Sequence, residues 1–392
     1  MSERIVILDG GMGTTLEDSG YSVSSKLWSS DPALHEAVQS VHEGFLKAGA
    51  DIIGTATYQA CESLYLDNGY SSEQASQYMQ GAVDIAGRAI STVRKGGEQK
   101  IGLCLGPFGG TLSPGQEYSG VYPPPYGPQG FQPGAPNVNR FDTSKDGQAL
   151  ATKAKSALRD FHLSRLQVFA IDEATWRTID WIMFETIPLL LEGEAIREAI
   201  EELYHQLAER YKGTADGSEW WKKPYWTSFV FPEGKAPDTS PVSTIIKTMY
   251  ANESARSVFP PTAIGINCTS PAYIQDLTRQ MTETMAQLRA EADEHSALQQ
   301  DPPAFVLYPD GGLVYDVITR TWHAPKNAIS SESQKEETSW SKNVGKVARW
   351  AADQECTTSA GRQPVWKQVM VGGCCKAGYE EIAGLRAELK QG

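Results

Sequence analysis

The sequence predicts an α/β protein folded as a (β/α)8 TIM-type barrel with long βα-loop insertions. Three observations carry that expectation. Eight short apolar runs of strand type recur along the chain, amphipathic helical stretches separate them, and run after run ends in a polar or reactive residue. The alternation has no linker between halves, so residues 1–392 are read as one domain with a Pro/Gly-rich insertion at about 114–147. A doubly wound open sheet is the second choice.

The first run, Ile5-Val6-Ile7-Leu8, meets Asp9 and the loop Gly10-Gly11-Met12-Gly13-Thr14. Leu16 stands where a dinucleotide fingerprint needs its third glycine, so that loop is a poor nucleotide cradle. Ala33 to Ala48 has its apolar residues at helical spacing and closes on Gly49, and Asp51 to Tyr58 is a strand with a polar end. A helix from about Ser72 to Arg94 leads to the strand Ile101–Leu105, which ends at Gly106-Pro107. Residues 114–147 then break the rhythm with prolines, glycines and tyrosines, which points to a functional loop over the active end of the sheet. The rhythm resumes with a helix through Phe161, Leu166 and Phe169 and a strand Trp181–Phe184 ending in Glu185-Thr186. A helix from about Leu190 to Tyr211, an exposed link from Gly213 to Lys223 and a strand Tyr225–Phe231 follow. Beyond a helix around Val242 to Tyr250, the strand Ala263–Ile266 ends at Asn267-Cys268. A polar amphipathic helix, Ile274 to Leu298, precedes the strand Ala304–Tyr308, which ends in Pro309-Asp310. A polar stretch from Lys326 to Lys342 reads as a mobile loop, and a short helix around Val344 to Ala352 follows. The last strand, Gln368–Val371, runs through Gly372-Gly373 into Cys374-Cys375.

Composition narrows the setting. Six cysteines in 392 residues are too few for a disulfide scaffold, and no apolar run is long enough to span a membrane. No N-terminal signal is expected, because Asp9 interrupts the first apolar run. A cytoplasmic protein is therefore expected, a monomer or small homo-oligomer whose thiols stay reduced. The net charge of -13 argues against nucleic acid as a partner, since phosphate binding needs a basic face.

Barrels carry their chemistry at the C-terminal ends of the strands. Those ends hold Asp9, Thr57, Tyr58, Glu185, Tyr308 and Asp310 together with three thiols, Cys268, Cys374 and Cys375. The histidines fall mostly in helices and links, which disfavours Ser-His-Asp hydrolysis and a His-ligated zinc hydrolase. Three sulfurs at two strand ends suit a catalytic zinc with its fourth position open, while redox-active or simply buried thiols remain alternatives. Cys61, Cys104 and Cys356 lack such partners and read as core residues. Three thiolates on zinc make a poor Lewis acid but a good holder of a fourth sulfur, because a free thiol with pKa ~8.5 is mostly protonated at neutral pH. The same negative centre suits a cationic electrophile such as a methyl sulfonium.

Asp9–Thr14, Leu27-Trp28-Ser29, Ala48–Ile53 with Thr57-Tyr58-Gln59, Phe184-Glu185-Thr186, Gly265–Cys268 and Gly372–Cys375 together resemble the motif set of the homocysteine S-methyltransferase family. The matches run in family order over nearly the whole chain. The resemblance implies a (β/α)8 barrel with one Zn2+ per chain, held by Cys268, Cys374 and Cys375. It implies methylation of L-homocysteine to methionine, with S-methylmethionine or S-adenosylmethionine as donor; betaine, or another thiol or selenol acceptor, is the alternative within the fold. From a different class, a redox or zinc-storage protein would use Cys374-Cys375 as a vicinal disulfide. Asp9 and Glu185 are expected to hold the amino-acid part of homocysteine, and Trp28, Thr57 and Tyr58 to contribute substrate contacts, with Tyr58 and Trp28 facing the onium charge. The chain departs from the family pattern at Thr15, at Asp310-Gly311-Gly312 and at Lys376-Ala377-Gly378-Tyr379, none of which is a ligand position.

Overall fold

The computed structural model describes residues 4–93, 98–212, 219–250, 259–293, 296–316, 321–323 and 339–390. Eight parallel strands form the central sheet: β1 (Ile5–Ile7), β2 (Ile52–Gly54), β3 (Lys100–Leu105), β4 (Trp181–Ile187), β5 (Tyr225–Phe229), β6 (Ala263–Asn267), β7 (Ala304–Tyr308) and β12 (Val369–Val371). Their order is β1-β12-β7-β6-β5-β4-β3-β2, and a parallel bridge between Leu8 and Ile52 brings the two ends of the sheet together. The result is a (β/α)8 barrel. Helices of the outer ring include Ser72–Val93, Lys145–Ala170, Leu190–Arg210 and Ile274–Glu291.

The apolar strand runs are explained by burial on both faces. Ile7, Phe305, Leu307, Ile264, Ile266, Val369 and Val371 pack outward under the helices. Their neighbours Leu8, Val306, Tyr308, Ala263 and Met370 fill the barrel interior with Trp226 and Met183. Small residues make room for the large ones there. A Cβ on Gly102 would lie 2.0 Å from the Met183 sulfur, so that glycine is the space Met183 occupies.

Two hairpins were not legible beforehand: β8 (Val314–Asp316) with β9 (Thr321–His323), and β10 (Glu355–Thr358) with β11 (Gly361–Pro364). The second turns on Gly361 at φ +98° and rests against the Ile274–Glu291 helix, whose buried Arg289 donates to the Pro364 and Val365 carbonyls. The helix expected around Val344 begins earlier, at Trp340, capped by the Ser339 hydroxyl. The insertion also stops sooner than expected: Ser144 caps the helix Lys145–Ala170 by accepting from the Gly147 amide at 3.0 Å. Most of the stretch read as a mobile loop, 326–338, and part of the link read as exposed, 213–218, lie outside the described residues.

Candidate active site

At the C-terminal end of the barrel opens a cavity of about 660 Å³, lined among others by Asp9, Trp28, Tyr58, Cys104, Glu117, Tyr118, Glu185, Tyr308, Trp322, Cys268, Cys374 and Cys375. Strand ends and loops converge there because the barrel twist points them at one axis.

Cys268 follows β6 in the left-handed region, at φ +45°, where a side-chain-bearing residue is uncommon. Its neighbours hold it. Asn267 Oδ1 accepts the Thr186 amide at 2.7 Å, and Asn267 Nδ2 donates to the Thr186 hydroxyl at 2.8 Å. Thr186 itself is left-handed, at φ +60°. The Asn267-Cys268 and Glu185-Thr186 pairs are thus tied together across the barrel mouth.

Cys374 and Cys375 arrive from β12. Their turn is pinned by the Gly373 amide on the Asp9 carbonyl (2.9 Å) and the Cys374 amide on the Pro309 carbonyl (2.8 Å). The first loop lies directly against it: Gly11 donates to the Ala377 carbonyl at 3.0 Å, and Lys376 donates its amide to the Thr14 hydroxyl at 2.8 Å. A Cβ on Gly10 would stand 2.1 Å from the Ala377 carbonyl oxygen, so close approach of two backbones, not a phosphate, explains that glycine run. Lys376, one of the departures from the family pattern, lies at φ +60° and pairs with Asp18 at 2.7 Å.

The three thiol sulfurs lie within 4.8 Å of one another. The structure joins Cys268 to Cys374 and leaves Cys375 free. The bond formed is therefore not the vicinal Cys374-Cys375 pair of the redox alternative. Adjacent residues have Cα atoms only about 3.8 Å apart, short of the span a disulfide prefers. Cys268 and Cys374 are 5.4 Å apart and meet it. Once reduced, the three sulfurs form a donor set that fits a zinc ion: soft ligands, close together, open to the cavity on one side. Burial pushes the free Cys375 thiol up to about 12, with Asp310 adding to the effect and a hydrogen bond from Tyr118 opposing it.

Around the thiols stand buried carboxyl groups. Asp9 is buried, and its Oδ2 accepts the Gly54 amide at 2.8 Å. Burial pushes its carboxyl up to about 8, partly offset by that hydrogen bond. Glu185 is raised by burial too, against hydrogen bonds from Cys104 and Tyr308; the Cys104 sulfur donates to Glu185 Oε1 at 2.7 Å. Trp28 and Tyr58 meet edge to face, ring centres 6.0 Å apart.

Of the residues singled out from sequence, Asp9, Trp28, Tyr58, Glu185, Cys268, Cys374 and Cys375 all line the cavity. Thr57 is not among the residues lining the cavity: it is buried, with its hydroxyl donating to the Cys104 carbonyl at 2.7 Å and 2.6 Å from the Thr55 hydroxyl. Its hydroxyl is engaged within the loop structure. Sequence reasoning missed Cys104, which reads as a core thiol because it lies inside an apolar run. It also missed Glu117 and Tyr118, which sit in the insertion where no periodicity marks an inward face. Burial pushes the Glu117 carboxyl up to about 7.

A buried relay behind the wall holds this end of the barrel. Glu192 accepts the Phe108 amide and the Tyr122 hydroxyl, each at 2.7 Å, and lies 3.0 Å from His162 Nε2. Arg165 donates to the carbonyls of Ala60, Gly106, Thr57 and Tyr58 at 2.7–3.2 Å.

Comparison with known proteins agrees with this geometry. The sequence model of a family described as Homocysteine S-methyltransferase matches residues 6–389. Homocysteine S-methyltransferase 2 of Zea mays is 29% identical over 397 residues, covering 98% of this chain and 90% of the relative. A selenocysteine Se-methyltransferase of Brassica oleracea var. italica is 28% identical over 330 residues, 81% of this chain and 75% of its own. Among solved structures, the metallated form of the homocysteine methyltransferase MmuM from Escherichia coli superposes with a TM-score of 0.59 at 19% identity, covering 98% of this chain and 96% of that one, which supports the fold. With the family model spanning nearly all of its length, the chain belongs to the homocysteine S-methyltransferase family and is an enzyme of that class.

Proposed function

We propose that the chain transfers a methyl group from a sulfonium donor, S-methylmethionine or S-adenosylmethionine, to the sulfur of L-homocysteine, giving methionine, with one zinc held by Cys268, Cys374 and Cys375. The observation that carries this reading is the cluster of three sulfurs, within 4.8 Å of one another, on the wall of a cavity that also exposes carboxyl groups and aromatic rings. A zinc bound there would keep the acceptor sulfur as a thiolate at neutral pH.

The chain's own residues do the rest. Glu185 and Asp9 receive the homocysteine ammonium, and charge-assisted hydrogen bonds in a dry site fix the direction of the acceptor sulfur. Trp28 and Tyr58 offer ring faces to the donor. In the transfer the donor's sulfur–methyl bond breaks, its electron pair stays on the donor sulfur, and the acceptor sulfur forms the new bond; the thiol proton has left beforehand. Positive and negative sulfur become two neutral thioethers, which bind an acidic cavity less tightly and leave. A cytoplasmic location, where thiols stay reduced, keeps the donor set available.

A selenol acceptor is the second reading, favoured by the likeness to selenocysteine Se-methyltransferase. Product analysis with zinc-loaded protein, homocysteine or selenocysteine as acceptor, and each onium donor in turn decides between them. Methionine from a sulfonium donor is expected; turnover with betaine alone would overturn the choice of donor.

A further inference from the structure

We propose that Glu117, with Tyr118 beside it, is the counter-charge for the cationic centre of the methyl donor, so that the Pro/Gly-rich insertion supplies the donor subsite. This rests on the methyl-transfer reading above and names which residues of the same cavity bind the second substrate.

The insertion is built to present these two residues. Gln116 is buried and organises the turn: its amide donates to the Gly109 carbonyl at 2.9 Å, its side-chain nitrogen to the Pro114 carbonyl at 3.0 Å, and its carbonyl accepts the Gly120 amide at 2.7 Å. Ser119 donates to the Gln116 side-chain oxygen at 2.6 Å. Gly109 packs so tightly on this turn that a Cβ there would lie 2.7 Å from the Gln116 carbonyl carbon. Glu117 and Tyr118 follow immediately and both reach the cavity wall.

Glu117 Oε2 is buried and has no hydrogen-bond partner among the described residues. That separates it from the other carboxyl groups near the thiols, since Asp9 Oδ2 holds the Gly54 amide and Glu185 Oε1 the Cys104 thiol. A buried carboxylate oxygen without a partner is costly, and a cationic ligand removes the cost. The groups its charge reaches are Tyr58, Tyr118 and Cys375, two aromatic rings and one thiol of the metal-binding set. An ammonium has three hydrogens to place. An onium centre has no such hydrogens and needs only negative charge and ring faces. The cavity as a whole favours a donor with net positive charge: Glu17, Asp67, Glu117 and Glu185 line it against Lys26, and Asp9, pushed up to about 8, gains its charge when a cation binds beside it. Sulfonium amino acids carry one net positive charge; betaine carries none and brings its own carboxylate.

The test compares zinc-loaded wild type, Glu117→Gln and Glu117→Asp. Steady-state kinetics with homocysteine and S-methylmethionine give a KM for each substrate, and calorimetry compares binding of S-methylmethionine with that of methionine, its uncharged thioether. For Glu117→Gln the donor KM is expected to rise about 30-fold or more, corresponding to ~2 kcal/mol, with the homocysteine KM and zinc content unchanged and the preference for the cation lost. Glu117→Asp keeps the charge and is expected to retain part of that preference. A folded, zinc-loaded Glu117→Gln with wild-type donor KM overturns the assignment alone, as does loss of zinc in place of loss of donor binding. If Glu117→Gln fails to fold, Glu117→Asp carries the test, and an unaltered donor KM overturns the assignment. Wild-type protein without turnover on any sulfonium donor overturns the donor reading and the assignment with it.

Discussion

Replacing Arg165 tests how the active end of the barrel is held. The side chain is fully buried in the helix Lys145–Ala170, and its guanidinium donates to four backbone carbonyls on two different βα loops. The Thr57 and Tyr58 carbonyls keep second donors in the Ala60 and Gly106 amides, so the loss falls mainly on the Ala60 and Gly106 carbonyls. In Arg165→Met the apolar stem survives and the donors vanish. Orphaning two buried carbonyls costs ~1–3 kcal/mol each, while release from burying a guanidinium gives part of that back. A net loss of about 3 kcal/mol is expected. Arg165→Lys, which can reach one or two of the carbonyls, should lose less. Because the Tyr58 loop is released, the donor KM should rise more than kcat falls, whereas a purely structural role would lower the yield of folded protein without that split. Urea unfolding followed by both tryptophan fluorescence and circular dichroism measures the loss, coincident transitions licensing the comparison. A midpoint for Arg165→Met that gives a loss under about 1 kcal/mol would refute the clamp, being no larger than one ordinary hydrogen bond.

Four further outcomes are expected. Cys268→Ala, Cys374→Ala and Cys375→Ala should each abolish turnover and lower bound zinc measured by elemental analysis; near-normal zinc in any of them removes that residue from the donor set. Glu185→Gln should raise the homocysteine KM strongly with zinc retained, and zinc loss would make Glu185 a ligand or structural group instead. Gly106→Ala would push a methyl to within 2.6 Å of the Tyr58 ring, so a rise in donor KM is expected, and unchanged kinetics would show that the ring is free to yield. His42 is fully buried with neither ring nitrogen hydrogen-bonded among the described residues, and burial lowers it to about 3. Its folded value lies below its unfolded one, so its contribution to stability is complete above about 6.5 and is lost as the pH falls toward 3; between pH 8 and 5.5 the loss is about 1.4 kcal/mol. His42→Leu should flatten the acid limb of the stability profile by that amount, and an unchanged slope would contradict it.

The barrel was legible because parallel strands buried on both faces leave unbroken apolar runs, and because each run stops at the residue that faces the cavity. Asp9, Glu185, Cys268 and the Cys374-Cys375 pair could be collected that way. Thr57 shows the limit. A hydroxyl at a strand end serves the cavity or the loop's own carbonyls equally well as a pattern, and here the Cys104 carbonyl takes it. Cys104 failed in the opposite sense: within Ile101–Leu105 nothing distinguishes a thiol packed in the core from one aimed at Glu185. Glu117 and Tyr118 depend on a turn organised by Gln116 side-chain hydrogen bonds, which leave no period to read. The hairpin β10–β11 escaped notice since its strands are short and half exposed.

The strand order has a consequence for how the chain is made. β12 leaves the ribosome after the seven other strands of the barrel, yet it lies between β1 and β7. Until it arrives, a growing chain has two sheet edges open to mispairing, and Cys268 waits alone, 106 residues ahead of Cys374. One docking event seals both edges and brings the remaining two sulfurs to the first. A chain cut short before Val369 would carry only one of the three sulfurs, so the cluster itself reports that the final piece of the barrel wall has docked.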